Sequence, residues 1–105
     1  MAQTVYLNGK FLPIEEAAVP VLDRGFIFGD GVYEMIPVYS RHAFRLQEHI
    51  RRLEQSLAAL RIENPHAAHE WEALLLALIE KNAGEDQSLY LQVTRGPAPR
   101  DHAFP

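Results

Sequence analysis

Val32-Tyr33-Glu34-Met35-Ile36-Pro37-Val38-Tyr39 is rich in β-branched and aromatic side chains, which fit a pleated surface better than a helix. The stretch predicts a strand. Successive side chains of a strand point to opposite faces, so Val32, Glu34, Ile36 and Val38 share one face and Tyr33, Met35, Pro37 and Tyr39 the other. Tyr33 and Met35 therefore line one surface together. Pro37 has no N–H to give to a ladder, which sets that end of the strand at an edge or a bulge.

Upstream, Asp23 to Gly31 packs three glycines among aromatic residues, the composition of a tight and conformationally demanding loop. Before it, VYLNGKFL at Val5 to Leu12 joins two apolar-rich pieces through Asn8-Gly9, and a type I′ turn needs positive φ at both central positions. The chain is expected to open with a β-hairpin. Downstream, Leu46, Ile50, Leu53, Leu57 and Leu60 recur at helical spacing and predict an amphipathic helix from about Gln47 to Arg61. A second helix is punctuated by Asn64 as N-cap, Pro65 at its first position and Gly84 as a left-handed C-cap, with Trp71, Leu74, Leu75, Leu78 and Ile79 as its buried stripe. Ser88 to Arg95 reads as a strand, and Gly96 to Pro105 is held extended by its prolines. Strands, two consecutive helices and another strand predict an α+β fold, an antiparallel sheet with two helices packed on one side.

The 105 residues predict one domain and nearly exclude two. Apolar content of 48% and charged content of 23% are those of a globular chain, not of a disordered tail or a coiled coil. A net charge of -4 gives no electrostatic footprint for nucleic acid or an anionic membrane. Zero cysteines remove disulfides, thiolate metal sites and cysteine nucleophiles, which fits a reducing compartment. The longest apolar run, Ala73 to Ile79, is too short to span a bilayer, and Met1 to Tyr6 lacks the pattern of a signal peptide.

Several chemical readings fail on their own terms. Gly29-Asp30-Gly31 starts like a dinucleotide loop, but Glu34 stands where the third glycine belongs and a strand follows where a helix is required. His66, His69 and Glu70 fall in the predicted first turn of the second helix with no further ligand in range, and a solvated face explains them better than a metal. No GxSxG surrounds any serine. Three features remain: the Tyr33–Met35 surface, Arg52 on the flank of its helix, and Arg100 with His102 in Pro97-Ala98-Pro99-Arg100-Asp101-His102. If that last segment is extended, Arg100 and His102 project to the same side and can clamp a carboxylate. Simple solvation of Arg52, Arg100 and His102 stays open as the alternative.

Three stretches taken together, DRGFIFGDGVYE at Asp23 to Glu34, EHIRRLEQS at Glu48 to Ser56 and YLQVTRGPAPRDHAFP at Tyr90 to Pro105, resemble the fold-type IV, pyridoxal-phosphate-dependent aminotransferases. The Arg100-x-His102 pair favours their D-amino acid (D-alanine) branch over the branched-chain aminotransferases and aminodeoxychorismate lyase. The resemblance implies that residues 1–105 form the small N-terminal domain of the D-amino acid aminotransferase-like fold, part of a larger cytoplasmic, homodimeric enzyme. It implies that Arg52 binds the phosphate of pyridoxal 5'-phosphate. Tyr33, Arg100 and His102 would bind the substrate α-carboxylate, the last two supplied across the dimer. The substrates implied are a D-amino acid and a 2-oxo acid, with no metal, nucleic acid or membrane partner.

Two positions depart from the family pattern: Met35 stands where a smaller valine is usual, narrowing the side-chain pocket, and Pro37 replaces what is commonly a basic residue. The lysine that holds the cofactor covalently belongs to the family's second, larger domain, and neither Lys10 nor Lys81 matches it. No catalytic residue is therefore expected in this chain, which by itself is expected to be inactive, and a non-catalytic dimerisation module is the alternative reading of these residues alone.

Overall fold

The computed structural model describes residues 3–98. Arg100 and His102 lie outside the described residues. The hairpin forms as expected, β1 (Thr4–Leu7) pairing antiparallel with β2 (Lys10–Pro13) around Asn8 and Gly9 at φ 48° and 95°. The long strand is β3 (Gly31–Tyr39), central in a three-stranded antiparallel sheet between the two-residue β4 (His42–Ala43) and β5 (Gln87–Thr94).

Two helices, α2 (Leu46–Ala59) and α3 (Ala68–Lys81), cover one face of that sheet. Ile36, Val38 and Leu89 pack against Leu75 and Ile79 of α3. Ile50, Leu53 and Leu57 of α2 close on Trp71 and Ile62, with Val32, Leu91 and Val93 as their floor. Each fully buried aliphatic side chain contributes about 1.5 to 3 kcal/mol, and truncating Leu53 to alanine removes that and leaves a cavity.

The face assignment of β3 is the expected one: Glu34, Ile36 and Val38 are buried, whereas Tyr33, Met35 and Tyr39 are exposed. Pro37 sits inside a central strand and still breaks no ladder. Its carbonyl accepts from the Phe44 N–H at 2.8 Å, and in an antiparallel pair a residue's N and C=O point the same way, so its missing N–H faces the short β4 side.

Five expectations need correction. Asp23 to Gly31 contains a short helix, α1 (Arg24–Phe28), because Asp23 caps it by accepting from the Gly25 N–H and Gly29 ends it in the left-handed region. The second long helix starts at Ala68, since Asn64 spends its side-chain oxygen on the His66 N–H and the Trp71 indole while Glu70 caps Ala67. Its C-terminal end is Asn82 and not Gly84, with the Arg41 guanidinium donating to the carbonyls of Ile79, Asn82 and Gly84. Leu60 lies past the end of α2 and is exposed. His66 precedes α3 and is half-buried between the Tyr6 hydroxyl and the Trp71 ring, so only His69 of that pair is exposed.

Candidate functional site

Glu34 is the one charged side chain on the helix-facing side of β3, and such a group must be paired to stay there. It is 5% exposed, and Arg52 of α2 grips it from the side, Nε to Oε2 at 2.9 Å and Nη2 to Oε1 at 2.7 Å. His49, one turn earlier on α2, donates from Nδ1 to the same Oε1 at 2.8 Å. The Arg52 hydrogen bond, opposed by burial and reinforced by His49, holds the Glu34 carboxyl below its ordinary range. In return Glu34 raises Arg52, which is charged at every working pH.

Arg52 itself is 64% exposed. A guanidinium has five N–H groups, and the side-on grip on Glu34 uses two. Among the described residues Nη1 has no acceptor, so the end-on fork of Nη1 with the remaining Nη2 proton is offered outward. That fork fits a phosphate or carboxylate. It borders a shallow pocket of about 300 Å³ lined by Arg45, Glu48, His49 and Arg52.

On the other face of the sheet, β5 brings Tyr90 opposite Met35 and Gln92 opposite Tyr33. The rings of Tyr33 and Tyr90 stack with centroids 5.8 Å apart, and the Tyr90 hydroxyl donates to Gln92 Oε1 at 3.1 Å. Tyr33, Met35, Tyr39 and Tyr90 are all exposed there, an amphipathic surface with hydroxyl donors at its edge. Thus Tyr33 and Met35 do share a surface, and Arg52 does turn outward from its helix. Glu34, His49 and Tyr90 are additions of the structure. A carboxylate at an apolar position of β3 was the readable signal for the first two; Tyr90 needed the strand register.

A second buried carboxylate stands at the start of β3. Asp30 Oδ2 accepts from Arg24 Nε and from Arg95 Nε, each at 2.8 Å, which lowers its carboxyl from the ordinary value, with Arg95 the largest cause. Of the two lysines, Lys10 opens β2, and Lys81 ends α3 with its ammonium 4.9 Å from the Phe11 ring centre. Neither stands on the three-stranded sheet or on α2.

The amino-transferase class IV family model matches residues 31–105. A D-alanine aminotransferase of Bacillus licheniformis is 45% identical over 100 residues, 95% of this chain and 35% of that protein. A D-alanine aminotransferase of Staphylococcus epidermidis is 38% identical over 101 residues, covering 96% and 36%. The chain spans about a third of the length of these curated relatives. Among solved structures, the branched-chain amino acid aminotransferase of Escherichia coli superposes with a TM-score of 0.91 at 25% identity, over 100% of this chain and 36% of that one. The branched-chain aminotransferase of the thermophilic archaeon Thermoproteus uzoniensis, solved with norvaline, gives 0.76 at 29% identity, over 88% and 32%.

Proposed function

The chain belongs to the class IV aminotransferases, and from that premise we propose that it is the N-terminal small domain of a cytoplasmic, homodimeric D-amino acid aminotransferase that uses pyridoxal 5'-phosphate. The observation that carries this reading is Arg52, oriented by a buried carboxylate and presenting its free fork to solvent. The described residues fit the phosphate end of the cofactor and not its covalent attachment, because both lysines stand on other elements. Pyridoxal phosphate, when bound, supplies the electron-withdrawing ring over which an amino group is exchanged between a D-amino acid and a 2-oxo acid.

Each residue then has a defined task. Arg52 holds the phosphate, and Glu34 with His49 keeps the guanidinium from swinging. The Tyr33 hydroxyl donates to the substrate carboxylate, and the stacked Tyr90 fixes the ring that bears it. Arg100 and His102 of the second subunit share that carboxylate. Met35, facing the same way as Tyr33, limits the side chain that fits beside it. The amine that moves the proton comes from the part of the enzyme beyond this chain.

The structural neighbours favour one second reading, a branched-chain aminotransferase. The test is an amino-donor comparison in the longer protein that carries this chain, with 2-oxoglutarate as acceptor. D-Alanine is expected to be turned over and L-leucine not; turnover of L-leucine alone would replace the proposal by the second reading.

A further inference from the structure

Arg52 owes its orientation to Glu34, and the same contact cancels its charge, since the carboxylate and the guanidinium bonded to it sum to zero. The rim of the pocket repeats that balance: Arg45 Nη1 donates to Glu48 Oε2 at 3.1 Å. The pocket therefore presents a fork with the right hydrogen-bond geometry and little net charge. A phosphate ester carries about −1.5 to −2 at neutral pH, so its attraction to this site depends on what else supplies positive charge there.

His49 is the remaining ionisable residue of the lining. Its Nδ1 lies 2.8 Å from the same Glu34 Oε1 that takes Arg52 Nη2 at 2.7 Å, and its side chain is 15% exposed. With the Nδ1 proton given to the carboxylate, a second proton goes to Nε2, which has no partner among the described residues. The charged groups around the ring are Glu34 from β3 and Arg45, Glu48 and Arg52 from α2. Glu72 of α3 meets α2 at Gln47, two residues from His49 and so on the opposite side of the helix. Glu34 and Arg52 keep their charges at neutral pH, the first lowered by Arg52 and the second raised by Glu34. An imidazole is the kind of group that changes charge between about pH 5 and pH 8.

We infer that His49 is a proton-linked residue of the phosphate site: a neutral ring leaves the Glu34–Arg52–His49 cluster without net charge, an imidazolium gives it one positive charge, and anion binding takes up a proton at His49. The inference rests on the proposed assignment of Arg52 to the cofactor phosphate. By linkage, protonation tightens anion binding by the same factor by which the anion favours protonation. One unit charge beside an anion at a solvent-facing site sets that factor at about tenfold.

Two measurements test it. In the 105-residue chain, the His49 ring is followed by NMR from about pH 5 to about pH 8 in chloride and in sulfate of equal ionic strength, sulfate being a dianion throughout that range. Sulfate is expected to raise the midpoint of the His49 titration by about one pH unit, the equivalent of tenfold, and to leave the exposed His42 and His69 where they were. A His49 midpoint unmoved by sulfate, or an equal shift at all three rings, would overturn the proposal. The second measurement is the affinity of the proposed longer enzyme for pyridoxal 5'-phosphate relative to pyridoxal, in wild type and in His49→Gln, whose amide can still donate to Glu34 but takes up no proton. Comparing the two proteins cancels the titration of the phosphate ester itself. From about pH 6 to about pH 8 this ratio is expected to fall about tenfold more in wild type than in His49→Gln, and parallel pH profiles would overturn the proposal. An Arg52→Ala variant that keeps the ratio would overturn the Arg52 assignment and this inference together; one that loses it while the two profiles stay parallel would overturn the inference alone. Should His49→Gln fail to fold, the NMR titration, which needs no variant, decides.

Discussion

Asp30 and Glu34 stand four residues apart, both nearly buried, and each carboxylate takes hydrogen bonds from two basic side chains, two arginines in the first case and an arginine and a histidine in the second. They differ in where the cations end. Around Asp30 Arg24 is buried and Arg95 half-buried, their side chains 4% and 13% exposed, and Arg95 spends its remaining nitrogens on backbone carbonyls. Around Glu34 the arginine is mostly in solvent and keeps a fork unused. The same pair of residue types therefore makes a lock in one place and a presented binding group in the other. Burial of the cation, and not the presence of an ion pair, separates them.

The largest expected effect that would break this comparison is on stability. Asp30→Ala takes from the buried Arg24 and the half-buried Arg95 the anion they share and should cost about 3 kcal/mol, read as a lowered urea midpoint. Arg52→Ala should cost clearly less, because water reaches the vacated position and can solvate Glu34. Equal losses would mean that both clusters are locks.

A smaller effect is expected from acid. Both carboxyls titrate below their ordinary range in the folded state, so the unfolded chain takes up protons first as pH falls. Their stabilisation is complete above the unfolded values and is lost on descending through the folded ones. The urea midpoint should fall on acidification from about pH 5 to about pH 3, and Asp30→Asn should fall less steeply than wild type. A midpoint independent of pH in that window would remove the ionic basis of both clusters.

Much of this was legible in the sequence. Period-two alternation in Val32 to Tyr39 separated the two faces of β3, and Asn8-Gly9 placed the hairpin turn. The errors arose where one polar residue had several partners to choose from. Asn64 has the chemistry of an N-cap, yet Trp71 and His66 compete for its oxygen, and the helix starts later. Gly84 has the conformational freedom of a C-cap, yet Arg41, distant in sequence, supplies the donors at the carbonyls of Ile79 and Asn82 before it. The Asp23 cap and the left-handed Gly29 were readable as helix boundaries, but five residues are too few for a hydrophobic period. The site divides in the same way: Tyr33, Met35 and Arg52 follow from local geometry. The grip of Glu34 on Arg52, the stacking of Tyr90 and the clamp on Arg95 depend on packing between elements far apart in the chain.

The most direct test of the presented fork compares pyridoxal 5'-phosphate with pyridoxal, which lacks the phosphate, as ligands of the proposed longer enzyme and of its Arg52→Ala variant. Arg52→Ala is expected to weaken the phosphate ester by about tenfold to a hundredfold, the range of a lost hydrogen bond to a charged group, and to leave pyridoxal unchanged. Equal weakening of both ligands, or of neither, would contradict the assignment of Arg52 to the phosphate.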